Sequence, residues 1–189
     1  MRMILASGSP RRRELMLSLG VKDLEIIPAR GEEEKDPSLS APELVKKLSR
    51  AKAQEIFALN PDAVVIGADT VVAVDGKILG KPKDREDAAR MLRLLSGRTH
   101  EVYTGVTVLS PQGEDVRAEK TAVRFKPLSE REIAAYIATG EPMDKAGAYG
   151  AQGIASLLIE GMEGDYFNVV GLPLCTLGKM LEKLGVILL

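Results

Sequence analysis

The sequence predicts an α/β protein: one domain, residues 1–189, built on a mixed twisted sheet flanked by helices. Three observations predict it. Short apolar runs alternate with stretches of helical periodicity along the whole chain. The most apolar run, 63–74 (AVVIGADTVVAV), reads as a strand buried on both faces. It leads through Asp75-Gly76 into Lys77-Ile78-Leu79, a tight hairpin that makes the sheet mixed rather than doubly wound.

The elements follow in order. Met3-Ile4-Leu5-Ala6 is a first strand, and a loop leads to a helix opened by Ser9 and Pro10 and closed by Gly20, because proline is preset for the first turn and glycine for the left-handed stop. Ile26 and Ile27 mark a second strand. Ser40 with Glu43 forms a capping box for a helix running to about Leu59, ended by Asn60-Pro61. After the hairpin, Asp84 caps a helix to Leu95, with Gly97 beyond it. Two β runs, 101–109 and 115–125, are joined by Ser110-Pro111-Gln112-Gly113. Ser129 and Glu132 box a further helix ending near Gly140. A glycine-rich loop from Gly140 to Gly153, a strand at Leu157-Leu158-Ile159 and a terminal helix with Leu174, Leu177, Met180, Leu181 and Leu184 on one stripe complete the chain.

Composition narrows the function. With 45% hydrophobic and 28% charged residues the chain reads as globular and ordered. No apolar stretch reaches the roughly 18 residues of a membrane span, and Met1-Arg2-Met3-Ile4 does not read as a signal sequence, so a cytoplasmic location without a membrane partner is expected. A lone Cys175 fits a reducing compartment and leaves only oxygen ligands for a metal. A net charge of −1 and the absence of Trp disfavour a nucleic-acid partner.

Several residues stand where chemistry or a specific partner competes with a plain structural reading. Ser7-Gly8-Ser9-Pro10-Arg11-Arg12-Arg13 joins a strand to a helix start: free N–H groups, two hydroxyls and guanidinium groups suit phosphate oxygens, against the plainer reading of an N-cap with solvated arginines. Three cations in a first turn oppose the helix dipole unless an anion compensates. Lys52 lies on the apolar face with Val45, Leu48, Ile56 and Leu59, so it either snorkels to water or meets an anion. Asp69 sits inside the most apolar strand, where an unpaired carboxylate is costly; it is paired, metal-bound or catalytic, or it marks a strand end. The run Glu32-Glu33-Glu34 is a solvated loop or the source of an oxygen ligand for a hard cation. Gly80-Lys81-Pro82 follows the hairpin and returns a cation toward Asp69. The stretch 144–153 combines small residues with Gln152, a donor and acceptor, although an ordinary loop looks similar. His100, the only histidine, reads as structural, and Cys175 as a small core residue.

Taken jointly, LASGSPRRREL (5–15), IGADTVV (66–72), GKP (80–82), LSGRTHEVYTGV (95–106), DKAGAYGAQG (144–153) and GDYFNVVGLPL (164–174) resemble the Maf family of nucleotide pyrophosphatases. The resemblance spans nearly the whole chain in consistent order. It implies an elongated mixed sheet with a central cleft, similar to the inosine triphosphate pyrophosphatase fold, and a homodimer. It also implies Asp69 as proton acceptor, with Ser7, Arg11, Arg12, Glu32, Lys52, Lys81 and Gln152 in the site. The acidic run is longer than the usual pattern, so Glu33 competes with Glu32 for the ligand's place. Ser49 stands where the family often has alanine.

Arg11 after Pro10, Thr70 after Asp69, and Gln152 resemble the dTTP/UTP branch rather than the 7-methyl-GTP branch. An amide can donate to O4 and accept from N3–H of uracil or thymine, whereas a carboxylate only accepts. The expected activity is therefore metal-dependent cleavage of a pyrimidine nucleoside triphosphate at the α-phosphate, giving monophosphate and pyrophosphate. Mg²⁺ or Mn²⁺ would be held by Glu32 and Asp69; Arg12, Lys52 and Lys81 would neutralise charge; Arg12, Thr70 and Gln152 would select the base. The competing readings are a non-catalytic nucleotide sensor that inhibits septum formation and a 7-methyl-GTP pyrophosphatase.

Overall fold

In a computed structural model, described over residues 2–21, 23–31 and 36–188, the elements run β1 (Met3–Leu5), α1 (Pro10–Ser18), β2 (Leu24–Ile26), α2 (Ala41–Leu59), β3 (Val64–Val74), β4 (Lys77–Leu79), α3 (Arg85–Leu95), β5 (Thr99–Ser110), β6 (Gly113–Phe125), α4 (Glu130–Ala138), β7 (Ile159–Glu163), α5 (Tyr166–Val170) and α6 (Leu174–Lys183). The sheet has the order β2-β1-β3-β5-β6-β7, with β4 paired to β3. β1 is parallel to β2 and to β3, while β3–β4 and β6–β7 are antiparallel. The α/β class and the mixed sheet are those the sequence predicts.

The chain divides into two compact units. The first comprises Met1–Asp69, Thr104–Glu119 and Gly171–Leu189; the second comprises Thr70–Tyr103 and Lys120–Val170.

Local chemistry explains most boundaries in the first unit. Ser9 Oγ accepts the Arg12 N–H and starts α1 with Pro10 in its first turn. At the head of α2 the Ser40 N–H donates to Glu43 Oε2 at 2.9 Å. Ile4, Ala6, Ala53, Ile56, Ala63, Val65 and Leu109 form a buried cluster under α2, with Ile27, Ala29 and Phe57 packed against it. Each large aliphatic side chain buried this way contributes about 1.5–3 kcal/mol. Leu59, expected on that apolar face, is 78% exposed. It is the last residue of the helix.

Two glycines set how close α2 comes to the sheet. A Cβ on Gly67 would stand 2.3 Å from the Ser49 carbonyl oxygen, and one on Gly105 would stand 2.1 Å from that of Val45. Helix backbone therefore lies directly on strand backbone at both points, an approach only glycine permits. Ser49, fully buried, spends its hydroxyl on Thr107 Oγ1 (2.9 Å) and the Lys46 carbonyl (3.1 Å), which satisfies a polar group that alanine would lack.

In the second unit the β3–β4 hairpin turns through Asp75 (φ 49°) and Gly76 (φ 70°), the pair of left-handed residues that a two-residue hairpin requires. Asp84 accepts the Asp87 N–H at the head of α3, and Ser129 and Glu132 box α4. Two short 3-10 segments, Glu141–Asp144 and Ala146–Ala148, occupy the glycine-rich stretch read as a loop, and a third, Gly153–Leu158, begins at its end. The strand expected at Leu157-Leu158-Ile159 begins only at Ile159, because Leu157 and Leu158 close the last of these 3-10 turns. Helix α5 was not anticipated; its five residues are too few to show a period.

Helix α6 buries Leu177, Met180 and Leu181, with Leu184 at its C-cap. Cys175 is exposed rather than a core residue. At about 100° per residue it falls off the stripe defined by Leu177 and Leu181.

Candidate active site

The apolar strand β3, with Ala63 just before it, places Ala63, Val65, Gly67 and Asp69 toward one face by simple alternation. Ala63 and Val65 belong to the cluster under α2, and Gly67 is where α2 touches the strand. Asp69 is thus the next residue on the helix-covered face, and it is 8% exposed. Lys52, one turn beyond Ser49 along α2, meets it: Lys52 Nζ donates to Asp69 Oδ1 at 2.5 Å. Of the two fates open to Lys52, the anion prevails, and Asp69 lies within the strand rather than at its end.

Such a pair has a definite electrostatic logic. The side chains are 20% and 11% exposed, so the attraction is less screened than on the surface. Lys52 holds the carboxylate in place through Oδ1, and Oδ2 remains the oxygen suited to a water proton or a hard cation.

The basic segment belongs to the same unit. Arg12 Nε donates to the Gly171 carbonyl at 2.7 Å, and its NH1 group donates to Ser7 Oγ at 3.2 Å. Ser7 Oγ also accepts the Ser9 N–H at 3.3 Å. Arg12 therefore staples the loop before α1 to the segment that opens α6, joining two motifs far apart in sequence. Arg11 is half-buried beside it, and the first turn of α1 contains no acidic residue.

One anchor escapes sequence reading. Glu55, one turn past Lys52 on α2, accepts the Arg30 N–H at 2.7 Å and the Gly31 N–H at 2.9 Å. These backbone bonds, the largest causes, hold its carboxyl below the usual carboxylate range. The link spans 24 and 25 residues and depends on backbone donors, so no residue pattern announces it. Glu32 and Glu33, the candidate metal ligands, lie outside the described residues. Among the described residues no group of three or more His, Cys, Asp or Glu is arranged to hold a metal ion. Asp69, a hard oxygen donor, fits Mg²⁺ or Mn²⁺ in kind.

The second unit carries Thr70, Lys81 and Gln152. Thr70 is half-buried, and Lys81 and Gln152 are exposed. The Gly147 N–H donates to the Gly80 carbonyl at 3.0 Å, tying the 144–153 stretch to the residue before Lys81. Gly147 (φ 67°) packs so tightly on Val72 that a Cβ there would lie 2.8 Å from Val72 Cγ2. His100 is structural: Nε2 lies 2.6 Å from the Tyr149 hydroxyl, and the ring packs edge-on against Phe125 and Tyr149. Burial pulls its pKa down to about 4, and Nδ1 has no hydrogen-bond partner to accept the proton an imidazolium would carry there.

The fold is shared with the Ham1 protein of Staphylococcus aureus, with a TM-score of 0.55 at 15% identity over 97% of this chain and 99% of that one. The sequence carries a narrower kinship. The chain belongs to the Maf family, described as Maf-like protein, which matches residues 2–184. A Bacillus pumilus relative named dTTP/UTP pyrophosphatase is 52% identical over 184 residues, covering 97% of each chain. A Moorella thermoacetica relative of the same name is 52% identical over 187 residues, covering 98% of this chain and 96% of that one.

Proposed function

We propose that the chain is a dTTP/UTP pyrophosphatase. Water attacks the α-phosphorus, the bond from that phosphorus to the bridging oxygen of the pyrophosphate breaks, and nucleoside monophosphate and pyrophosphate leave. The single observation that carries this reading is the Lys52–Asp69 pair, a carboxylate held by an ammonium inside an apolar strand, in a chain whose relatives bear that activity's name. Asp69 takes the proton of the attacking water at Oδ2 while Lys52 keeps the carboxylate oriented through Oδ1. Ser7, Arg11 and Arg12 supply donors and positive charge for phosphate oxygens at the head of α1. Lys81 neutralises charge on the departing pyrophosphate, and Thr70 and Gln152 select the base together with Arg12. Mg²⁺ or Mn²⁺, held by Asp69 and Glu32, would supply charge neutralisation across the triphosphate oxygens.

The same reading assigns a cytoplasmic homodimer with no nucleic-acid or membrane partner. A net charge of −1 supports the former absence. No described helix is long and apolar enough to cross a membrane. The experiment is pyrophosphate release from dTTP, UTP, CTP, GTP and 7-methyl-GTP, each measured separately with Mg²⁺ and with Mn²⁺. Preference for dTTP and UTP is expected; a flat panel favours the nucleotide sensor, and preference for the methylated purine favours the other Maf branch. Light scattering tests the dimer.

A further inference from the structure

Gln152 is exposed and extended (φ −101°, ψ 164°), and its own side chain does not explain why it should stand in one place. The backbone directly after it is nevertheless gripped. Glu141, thirteen residues before Ile154, accepts the Ile154 N–H at 3.2 Å on Oε2 and the Ala155 N–H at 3.4 Å on Oε1. The same carboxylate lies against Gly153: a Cβ there would stand 2.8 Å from Glu141 Oε2. Gly153 also adopts φ 73°, so the residue directly after Gln152 is fixed as glycine by both conformation and contact.

The carboxylate is itself held: the Tyr136 hydroxyl donates to Glu141 Oε1 at 3.0 Å. Tyr136 is 2% exposed on the buried face of α4. A single chain of bonds therefore runs from Tyr136 through Glu141 to Ile154 and Ala155, two and three residues after Gln152. Lys145 braces it, donating to the Glu141 carbonyl at 2.6 Å and to Asp144 Oδ1 at 2.7 Å. None of these residues offers a reacting group. What they do is fix the peptide segment directly after Gln152.

We infer that Tyr136 and Glu141 are positioning residues for Gln152 and thereby determinants of base selectivity. The inference rests on the reading of Gln152 as the base-recognising amide. An amide that must donate to one atom and accept from its neighbour discriminates only when its orientation is fixed before binding. Loosening the frame lets Gln152 sample other directions, which weakens substrate binding and leaves the attacking water untouched.

The test measures kcat and KM for dTTP, UTP and CTP in the full-length protein and in Glu141→Gln, Tyr136→Phe, Gln152→Ala and the Glu141→Gln/Gln152→Ala double variant. Glu141→Gln is expected to raise KM for dTTP about tenfold with kcat nearly unchanged, and to erode the preference for dTTP over CTP by a similar factor, since displacing a contact by an ångström is felt at the substrate. Tyr136→Phe, which removes one hydroxyl, shifts KM the same way by less and carries the test alone if Glu141→Gln fails to fold. In the Gln152→Ala background, Glu141→Gln has no further effect on KM. A fall in kcat at constant KM, or an undiminished KM effect in that background, overturns the inference. If Gln152→Ala loses selectivity and Glu141→Gln does not, only the inference falls. If Gln152→Ala keeps wild-type selectivity, the base-recognising role of Gln152 falls first and takes the inference with it.

Discussion

Lys52 donates to Asp69 at 2.5 Å from the helix that lies directly on the strand bearing the carboxylate. Removing one partner of such a pair leaves the other charge buried alone, a loss of about 3 kcal/mol. Lys52→Met is expected to lower the melting temperature and pyrophosphate release together. Asp69→Asn abolishes release by about a hundredfold or more, the scale of a lost general base, yet destabilises less, because a neutral amide can still accept from Lys52. Combining Asp69→Asn with Lys52→Met restores much of the stability lost by Lys52→Met and none of the activity. A double variant as unstable as Lys52→Met would mean that the two residues do not act as a pair.

The close seat of α2 predicts a second outcome. A methyl group on Gly67 meets the Ser49 carbonyl at 2.3 Å, so the helix must back away from β3. Overpacking of this kind costs about 1–3 kcal/mol, and Lys52 sits on the next turn of the same helix. Gly67→Ala should therefore reduce turnover more than a control of equal thermal cost distant from α2, such as Ile133→Val. Equal losses in the two variants would show that the glycine serves stability alone.

How far the sequence carried the reading depended on whether a feature was local. The capping residues Ser40, Asp84 and Ser129, the Asp75-Gly76 hairpin and the Leu177–Leu181 stripe each act within a few residues, and each appears where expected. Asp69 and Lys52 were legible as anomalies, a charge on an apolar strand and a charge on an apolar helix face. That they face each other was not, because it follows from Gly67 and Gly105 bringing α2 down onto the sheet. Glu55 and Glu141 left no trace at all, since each is satisfied by backbone N–H groups more than ten residues away. The strand after the glycine-rich stretch was misplaced because Leu157 and Leu158 look alike in a strand and in a 3-10 turn.

His100 predicts a pH dependence of stability. Its pKa lies near 4 in the folded protein against an ordinary 6.5, because the buried ring must stay neutral. Between those values the unfolded chain binds a proton that the folded chain refuses, so stability is complete above pH 6.5 and falls as pH drops toward 4. The loss amounts to about 3 kcal/mol across the window. Chemical denaturation at intervals from pH 7 to 4.5 should show this slope in the wild type, and His100→Gln should flatten it. Carboxylates contribute mostly below that range. A slope unchanged by the substitution would place its origin in another group.

Base choice provides the sharpest prediction, because Gln152→Glu keeps the side chain's shape while it replaces the amide's donors with a charged acceptor. The neutral amide can give a hydrogen bond to O4 and receive one from N3–H of thymine or uracil. A carboxylate can only receive, so it faces O4 with a lone pair and leaves that carbonyl unpaired. Recognition that depends on a matched hydrogen bond discriminates by about 10⁴–10⁵-fold in a closed site, and an exposed position such as that of Gln152 should retain about a hundredfold of it. The expected result is a fall of about a hundredfold in kcat/KM for dTTP and UTP, with a gain for substrates that present adjacent N–H donors, as the N1–H and N2–H₂ edge of 7-methyl-GTP does. The kinetic panel with five nucleotides reads both changes. Loss toward the pyrimidines without gain toward the purine would limit Gln152 to pyrimidine recognition. Retention of the wild-type order would assign selectivity to Arg12 and Thr70 instead.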